Sequence, residues 1–536
     1  MKKIIQIFCF LYASSLPALA QTWNWVTTST GLTTNGYNSA SDIILDANKN
    51  SYVVGQFDSQ LIFGSVSLNS ASQVIFIAKF DSTGTCLWAK KADAYTAYSG
   101  VSITLDYNQD LIITGLYYSS ASFDTITINS TGMSDVFIAK ISSTGQWKWA
   151  KSYGGSSYDQ GRQIDVDTNN NIYVTGTSVG TVVFDSLQVS GLGGYDVFVG
   201  KFTPSGKCLW VKNSAGSGNE KGTCLSVSEA GNLYVGGVYN GTPNIFGTAL
   251  NNIGQNDEYD FISKLDLNGN SIWNKQLSCG AINNVYGLQS ISTDINDNLY
   301  ITGNYAYSCL LDTFNFAIAS NAVRNSYIAK LNPSGDVVWA KKGNGPVNSG
   351  GSSIYIDVNR NCYVSGSYTD SLNYGDCSLI NLGSNGYLIK LDSLGHCLCL
   401  NNLSQTNPVI TGNNNDLWMT GYFMNSTNFG TQIVTSSNHT EVFIVNATID
   451  CFTITDIKTN KIVRDSKISI SPNPFKDKVI VFANGTTQNI QVFNTLGSII
   501  YTTNPENEIT EIDLSNQSSG VYFVRIGSIT KKIIKQ

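Results

Sequence analysis

The chain has 536 residues and a net charge of −6. It is long enough to bury a large core, and its acidic balance offers no basic surface that would hold a nucleic acid. Only 13% of the residues are charged, about half of the usual share of roughly 25%, and the abundant Asn, Ser, Thr and Gly are typical of strands and turns with a neutral polar surface.

Residues 1–20 have the layout of a signal peptide. Lys2 and Lys3 precede an apolar run, and an Ala-Leu-Ala cleavage site ends the segment. We expect cleavage before Gln21. No later apolar run approaches the ~20 residues that a membrane-spanning helix needs. The sequence therefore predicts a protein that is secreted or attached to the outer-membrane surface, without a transmembrane span.

One decapeptide recurs along most of the chain. The segment from Asp167 to Gly176 reads Asp-Thr-Asn-Asn-Asn-Ile-Tyr-Val-Thr-Gly. Related segments end 55 to 66 residues apart, at Gly55, Gly115, Gly176, Gly237, Gly303, Gly366 and Gly421. So regular a spacing indicates a structural repeat, and its length is too great for a helical solenoid.

Each repeat shows the same order of predicted strands. A short alternating strand such as 353–357 leads through the Asp/Asn turn to a second strand such as 363–366. A variable segment follows, and then a third strand such as 135–140 and a fourth strand marked by Trp. β-Branched and aromatic runs between Gly, Asn, Asp and Ser turns predict four antiparallel strands. The marker residues of the fourth strand are Trp88, Trp149, Trp210, Trp273 and Trp339.

The two ends of the repeat region complement each other. A four-stranded sheet with two apolar faces needs neighbours, and seven such sheets stacked radially form a β-propeller. The seventh repeat stops after its third strand at 441–445, whereas Trp23 and Trp25 precede the first repeat. We expect this N-terminal strand to complete the last blade and to remove the exposed edges. The predicted fold is all-β, with a seven-bladed propeller over residues 21–450.

The repeated Tyr-Val-Thr-Gly, Phe-Ile-Ala-Lys and Trp-Ala-Lys blocks resemble the secreted bacterial β-propeller repeats known as SBBP repeats. The resemblance covers about residues 23–450. It implies a propeller fold and an extracellular setting. It implies no catalytic residues, because that family has none in common.

The end of the chain has a different pattern. After a polar linker at 451–467, residues 468–536 alternate as short strands that suit a small β-sandwich. They resemble the type A C-terminal sorting domain of the type IX secretion system of Bacteroidetes, which implies that secretion machinery as a partner and an export address at the outer membrane. The residues that carry the resemblance are Pro472, Asn473, Pro474, Gly520, Tyr522, Lys531 and Lys532.

Ten cysteines follow the predicted signal peptide, in a compartment that permits disulfides. The sequence does not determine their pairing. The favoured local bridges are Cys279 with Cys309 and Cys362 with Cys377. Cysteines just before the Trp position of different repeats should lie too far apart to bridge, so we expect buried thiols. These are Cys86, Cys208 and Cys397.

The Asp-x-Asn-x-Asn turns repeat the oxygen spacing that opens calcium loops. The candidate ligands are Asp167, Asn169, Asn171, Asp294, Asn296 and Asn298. A calcium loop needs a further ligand near position nine or twelve, and the third repeat has Thr175 and Ser178 there. Asp and Asn also favour tight hairpin turns by themselves. We therefore predict structural turns and no cofactor, with calcium as the alternative.

Catalytic motifs are scarce. His396 and His439 are the two histidines of the sequence, which leaves little room for zinc clusters or histidine triads. Paired carboxylates for glycoside chemistry depend on spatial placement rather than spacing, so an extracellular polysaccharide hydrolase or lyase remains an alternative. We predict no catalytic residue.

The predicted topology indicates where a ligand would bind. Short turns lie at one end of each blade, and variable segments and blade-to-blade connections lie at the other, where function concentrates on a rigid scaffold. We expect a non-catalytic binding, adhesion or scaffold protein for a glycan or matrix protein. A structural component of the surface or biofilm is a further alternative, in which the rim residues are ordinary linkers. The predicted rim comprises Tyr153, Tyr158, Asp159, Asn219, Glu220 and Asn348.

Overall fold

The computed structural model confirms the all-β class, because every regular element that it describes is a strand. The predicted signal peptide and linker, Pro472 and Asn473 lie outside the described residues. No helix that it describes is long and apolar enough to cross a membrane. The chain divides into two compact parts, Met1–Thr453 and Ile454–Gln536. The described residues are 22–31, 37–97, 100–251, 258–281, 287–306, 308–318, 324–345, 347–403, 408–429, 432–449, 468–471, 474–483, 489–494, 498–504, 509–526 and 529–536.

The first part of the chain contains strands β1 to β36. The N-terminal strand and the strands of the first two repeats are β1 (Thr22–Thr28), β2 (Ser39–Leu45), β3 (Ser51–Phe57), β4 (Gln60–Phe63), β5 (Val66–Asn69), β6 (Val74–Phe80), β7 (Cys86–Ala94), β8 (Ser102–Leu105), β9 (Leu111–Phe123), β10 (Ile126–Ile141) and β11 (Trp147–Gly155). Those of the third and fourth repeats are β12 (Gln160–Val166), β13 (Ile172–Ser178), β14 (Thr181–Phe184), β15 (Leu187–Ser190), β16 (Asp196–Phe202), β17 (Cys208–Asn213), β18 (Glu220–Val227), β19 (Asn232–Tyr239), β20 (Asn244–Ile245), β21 (Thr248–Ala249), β22 (Glu258–Asp266) and β23 (Ser271–Ala281). Those of the last three repeats are β24 (Leu288–Thr293), β25 (Leu299–Tyr305), β26 (Ser308–Leu311), β27 (Phe314–Ala317), β28 (Asn325–Leu331), β29 (Val337–Gly343), β30 (Ser349–Ile356), β31 (Cys362–Tyr374), β32 (Cys377–Leu391), β33 (Cys397–Asn402), β34 (Val409–Asn413), β35 (Asp416–Phe429) and β36 (Gln432–Thr448).

Antiparallel pairing arranges the main strands in groups of four, named units 1 to 7 here. In order from first to fourth strand they are β2-β3-β6-β7, β8-β9-β10-β11, β12-β13-β16-β17, β18-β19-β22-β23, β24-β25-β28-β29, β30-β31-β32-β33 and β34-β35-β36-β1. Unit 7 takes its fourth strand from the N-terminus, since Val26 of β1 pairs with Val445 of β36.

Each unit packs against the next through an apolar cluster. Units 1 and 2, for example, share a buried cluster that includes Tyr52 and Phe137. Units 7 and 1 share one too, because Trp418 and Ile444 pack with Val53 and Phe76. The first strands follow the same order of contacts, from β2 through β8, β12, β18, β24 and β30 to β34, and β34 also contacts β2.

The variable segments are not plain loops. They extend the second and third strands as hairpins, and these hairpins pair with the fourth strand of the preceding unit or with the residues that follow it. The pairing extends to units 7 and 1, where Thr30 bridges Ile62. The bridges are Asp93–Ser122, Gly154–Val183, Ala215–Asn244, Ser278–Leu310, Asn344–Asn373 and Thr30–Ile62.

The Trp marker of the fourth strand has a role between units. The Trp88 indole Nε1 donates to the Ser143 carbonyl of unit 2 at 3.1 Å, and its ring covers the Cβ position of Gly145, whose φ is +83°. Trp25 of β1 makes the same contact with unit 1, donating to the Ser82 carbonyl at 2.8 Å. A side chain in place of these glycines would meet both a strained backbone and the ring. The pairs are Trp25–Gly84, Trp88–Gly145, Trp149–Gly206, Trp210–Gly269, Trp273–Gly335 and Trp339–Gly395.

The cysteines partly follow the predictions. The predicted Cys279–Cys309 disulfide is confirmed, and it joins β23 of unit 4 to the hairpin of unit 5. The predicted Cys362–Cys377 bridge is wrong, because Cys362 is a buried thiol. Cys377 instead bonds Cys397, which we predicted as a buried thiol. These two residues begin the neighbouring strands β32 and β33, and their Cα atoms are 6.2 Å apart. The other two predicted thiols, Cys86 and Cys208, are free.

The second part of the chain forms two small sheets around one core. Its strands are β37 (Ile468–Ser471), β38 (Lys478–Ala483), β39 (Ile490–Phe493), β40 (Ile499–Thr503), β41 (Ile509–Asp513), β42 (Gly520–Ile526) and β43 (Ile529–Lys535). The sheets have the orders β37-β38-β41 and β40-β39-β42-β43, and Val479, Val492 and Tyr522 share a buried cluster.

The residues that resemble a sorting signal have different positions in this part of the chain. Pro474 is exposed, and Gly520 begins β42. The Tyr522 ring is buried, and its hydroxyl donates to the Ser518 carbonyl. Lys531 and Lys532 are exposed on β43. In the same strand the buried Lys535 donates to the carbonyls of 514, 515 and 517 at 2.8–2.9 Å, so that lysine fixes a turn.

Replacing Gly176 with alanine should destabilise the protein. The new Cβ would overlap the Gln160 carbonyl oxygen and lie 2.9 Å from the Phe198 ring, and such overpacking costs about 1–3 kcal/mol. Urea unfolding of the full chain measures the change. Gly100→Ala is the control, since nothing lies within 4 Å of its Cβ position, and it should change the free energy of unfolding by less than about 0.5 kcal/mol. Equal losses would contradict the role assigned to Gly176.

Candidate functional site

The two ends of the units carry different features. Because first and third strands both run antiparallel to the second, both begin at the same end of each unit. This end, the connection end, also bears the inter-unit connections and the hairpins. The other end, the turn end, bears the Asp/Asn turns and the turns between third and fourth strands.

The Asp/Asn turns use their carboxylates internally. Asp167 Oδ1 accepts the backbone N–H groups of Asn169 and Asn171 at 2.9 and 2.8 Å. Its Oδ2 accepts from the Asn171 amide and the Tyr173 hydroxyl at 2.9 and 3.0 Å, and Lys201 Nζ lies 3.5 Å away. Burial alone would raise the pKa of Asp167, but these hydrogen bonds and the lysine charge together lower it.

The second calcium candidate has the same geometry. Asp294 accepts the N–H groups of Asn296 and Asn298 at 3.0 Å and the Asn298 side-chain amide at 2.9 Å. A calcium ion needs six to eight oxygen ligands, and here the carboxylate oxygens already face donors. No group of three or more His, Cys, Asp or Glu side chains that could hold a metal lies within the described ranges.

The predicted rim residues do not form one surface. Tyr153 lies in the core instead, because its ring stacks on Phe184 at 5.5 Å and its hydroxyl donates to the Gly206 carbonyl. Asp159 is buried and accepts the N–H groups of Gly155 and Val179 at 2.7 and 3.1 Å. Burial raises the pKa of Asp159 to about 6. Both side chains stabilise the fold and are closed to a ligand.

The remaining predicted residues lie at the connection end. Asn219 Oδ1 accepts the Tyr195 N–H at 3.1 Å, and Asn348 Oδ1 accepts the Arg324 N–H at 3.3 Å. Both asparagines are half-buried and fix neighbouring loops. Tyr158 is 41% exposed, so its ring is the most accessible of the predicted set.

Tyr158 belongs to a group of aromatic side chains, named the tyrosine cluster and comprising Tyr95, Tyr118, Tyr158 and Tyr195. The rings of Tyr95 and Tyr118 are 5.7 Å apart. Burial raises the pKa of Tyr118, and the nearby phenols of the other three raise it further. Lys221 Nζ lies 5.3 Å from the centre of the Tyr195 ring. With Tyr95 46% and Tyr195 40% exposed, the cluster presents aromatic faces and hydroxyl groups to solvent.

The sequence interpretation missed the cluster as a whole because its members come from three units and from different segments. Tyr95 follows β7, Tyr118 lies in β9, and Tyr158 and Tyr195 precede β12 and β16. The one available signal was that each tyrosine stands near a strand end at the connection end.

A polar cavity of about 290 Å³ lies among the first strands. In units 1, 3, 4, 5 and 6 the first strand contains a β-bulge, which re-aims a side chain. Four of the bulged residues line the cavity: Ser41, Arg162, Gln289 and Ser352. So do five residues that stand four positions before the turn Asp or its equivalent: Asp42, Ser102, Gln163, Ser290 and Ser353. We name this space the central cavity.

Two buried acids, Asp196 and Glu220, lie next to the loop that carries Tyr195. Glu220 Oε2 accepts from the Ser214 hydroxyl at 3.1 Å, and the Glu220 N–H donates to the Tyr195 carbonyl at 2.7 Å. Burial raises the pKa of Glu220 to about 7, the Ser214 hydrogen bond opposes the shift, and the charge of Asp196 adds to it. Burial also raises the pKa of Asp196 to about 6.

The Glu220 carboxyl should make the stability depend on pH. Its folded-state pKa is raised, so its contribution is fully present below about pH 4.5 and is lost as the pH rises through about 7. Glu220→Gln should match the wild type below pH 4.5 and have a larger free energy of unfolding above pH 7. Urea unfolding across this range measures the difference, with the exposed Glu229→Gln as control. A difference that stays constant with pH would contradict the assignment.

Two family models match the chain. The model described as "Secretion system C-terminal sorting domain" matches residues 469–536, and the model described as "Beta-propeller repeat" matches residues 148–181. A curated relative, an uncharacterized WD repeat-containing protein of Acanthamoeba polyphaga mimivirus, is 26% identical over 440 residues, which cover 66% of this chain and 31% of that protein. The chain thus spans about a third of the length of that relative.

Solved structures with a similar course of the chain are distant in sequence. Virginiamycin B lyase of Staphylococcus aureus has a TM-score of 0.40 at 10% identity and covers 80% of this chain and 99% of its own. A PL25 ulvan lyase has a TM-score of 0.40 at 11% identity, with 78% and 97% covered. PorZ, a surface component of the type IX secretion system of Porphyromonas gingivalis, has a TM-score of 0.21 at 10% identity, with 92% and 81% covered.

The family matches agree with the resemblance found in the sequence. They fall on the repeat region and on the C-terminal strands, where the repeated blocks and the sorting-signal residues lie. A sorting domain of this type implies a secreted or cell-surface protein. The chain contains a β-propeller repeat of the SBBP type and ends in the C-terminal sorting domain of the type IX secretion system.

Proposed function

We propose that the protein is a non-catalytic binding or scaffold protein, exported through the type IX secretion machinery, whose repeats form a closed seven-bladed β-propeller. The observation that carries the binding role is the tyrosine cluster at the connection end. The sorting domain at residues 469–536 supports export to the cell surface or the medium.

Closure of the ring is supported by three kinds of contact between units 7 and 1. They share the apolar cluster around Trp418 and Phe76. The hairpin bridge joins Thr30 and Ile62, and the Trp25 indole donates to the Ser82 carbonyl. Each kind of contact also joins consecutive units in the middle of the chain. Unit 7 therefore packs against unit 1 in the same way as unit 1 packs against unit 2.

The ligand that fits the tyrosine cluster is a glycan or a matrix protein. Tyrosine rings combine a large apolar face with a hydroxyl group and lose little conformational entropy on binding. Such rings stack on the C–H faces of sugars or on apolar side chains. The Lys221 ammonium beside Tyr195 adds a positive charge at the edge of this surface.

The buried acids support binding over catalysis. A polysaccharide hydrolase needs two carboxyl groups that flank the bond to be broken. Asp159, Asp196 and Glu220 have raised pKa values, as catalytic acids often do, but all three are fully buried. Asp159 and Glu220 hold backbone or loop groups, and no substrate reaches them without movement of those loops.

Trp25→Ala should destabilise the protein about as much as Trp88→Ala. Both remove a Trp–Gly contact and an indole hydrogen bond between units, a loss of about 2 kcal/mol or more for a partly buried Trp. Urea unfolding and the melting temperature of the full chain measure both variants. A large loss for Trp88→Ala with almost none for Trp25→Ala would contradict closure between units 7 and 1.

Replacing Tyr95, Tyr158 and Tyr195 together with alanine should weaken retention on a glycan and matrix-protein panel at least about tenfold, because aromatic contacts of this kind contribute roughly 1 kcal/mol each. Tyr107→Ala is the control, since this tyrosine is 61% exposed but lies at the turn end.

The same panel separates the alternatives, since both retention and product release are recorded. Released products would support a hydrolase or lyase. Wild-type protein that is neither retained nor active would support a structural surface component. If the triple replacement leaves retention unchanged, the tyrosine cluster is not the binding site.

A further inference from the structure

Arg162 has an unusual position among the cationic side chains. It is the bulged residue of β12, between Gly161 and Gln163, and it lines the central cavity. Solvent reaches its side chain there, yet the surrounding protein lowers the pKa of the guanidinium through burial. The guanidinium is thus a charged group that lines the cavity and is open to solvent.

The Arg162 guanidinium has no hydrogen-bond or ion-pair partner among the described residues. The buried lysines of the domain differ, since Lys140 and Lys264 pair with Asp106 and Asp297 at 2.6 and 2.7 Å. No described residue accepts a hydrogen bond from Arg162, so the guanidinium donors are available to a ligand in the cavity.

Asp42, the other charged residue of the cavity, does not pair with Arg162. Its Oδ1 accepts the Ile43 N–H at 2.9 Å. Its Oδ2 accepts from the Ser102 hydroxyl at 2.9 Å and the Ile103 N–H at 3.1 Å. This carboxylate joins the first strands of units 1 and 2, and its lone pairs are used in the cavity wall.

The rest of the wall offers further donors. Ser41, Gln163 and Ser290 line the cavity, and their side chains have no hydrogen-bond partner within the described ranges. A hydroxyl or an amide can donate to an oxyanion at the same time as an arginine. The volume of about 290 Å³ equals that of roughly ten water molecules, so the space admits a monosaccharide or a smaller ion.

We propose that the central cavity is a binding site for a small oxyanion, a carboxylate or a sulfate, held by Arg162 with Ser41, Gln163 and Ser290. The planar guanidinium matches such groups through two parallel hydrogen bonds. The site is separate from the tyrosine cluster and does not depend on the function proposed for it.

The test is calorimetric titration of the full chain with sodium sulfate, sodium glucuronate and neutral glucose at constant ionic strength. We expect saturable binding of at least one anion with a millimolar or lower Kd. Binding of sulfate alone would indicate an inorganic oxyanion. Binding of glucuronate alone, or tighter binding of glucuronate than of sulfate, would indicate a sugar carboxylate. Both results support the site. Glucose binding as tightly as glucuronate would overturn it, and so would the absence of saturable binding of both anions.

Arg162→Gln should weaken anion binding at least about tenfold, and Arg162→Lys should retain part of it because the charge remains. Lys207→Gln is the matched control, as it removes an exposed charge at the turn end and should leave binding unchanged. Melting temperatures provide a second measurement: the anion should raise that of the wild type and not that of Arg162→Gln. Equal anion affinity of the wild type and Arg162→Gln would overturn the proposal.

Discussion

The hydrogen-bonded aspartate of the Asp/Asn turn is the interaction on which five of the seven units depend. In unit 1, Asp46 accepts two backbone N–H groups at 2.9 Å, and Tyr52 of the second strand donates to it at 3.2 Å. Lys79 of the third strand lies 3.9 Å away. One buried carboxylate therefore ties three strands together, and a carboxylate so placed is stable only if its donors stay in place.

Unit 4 shows how a unit without its own turn aspartate obtains a carboxylate. It has Ser228 where units 1, 2, 3, 5 and 6 have an aspartate, but it keeps Tyr234 and Lys264. Asp297 of unit 5 replaces the missing carboxylate, since its Oδ2 accepts from Lys264 at 2.7 Å and its backbone carbonyl accepts from the Tyr234 hydroxyl at 3.2 Å. The loss of one acid in the repeat is thus compensated by an extra acid in the next.

The sequence could predict whatever repeats. Three features recur because a contact in most units requires them. They are the Asp of the turn, the second-strand Gly that packs against the third-strand aromatic ring, and the Trp of the fourth strand. Contacts that occur in a single unit were not predictable in this way. The Cys377–Cys397 bridge depends on the starts of two strands lying side by side. Tyr153 was predicted in a loop, although it lies in β11. The bulged Arg162 is also hidden, because alternation does not reveal which residue of a strand is unpaired.

The distribution of polar groups between the two ends then accounts for the location of the candidate sites. At the turn end the carboxylates, amides and lysines bond one another, so little capacity for a ligand remains. At the connection end the buried acids Asp159 and Glu220 bind backbone or loop groups and fix the connections. The side chains that these bonds do not use include the exposed rings of the tyrosine cluster and, in the central cavity, the Arg162 guanidinium. The Arg162 guanidinium lines the central cavity without an acceptor from the described residues, and a ligand that carries an oxyanion would supply that acceptor.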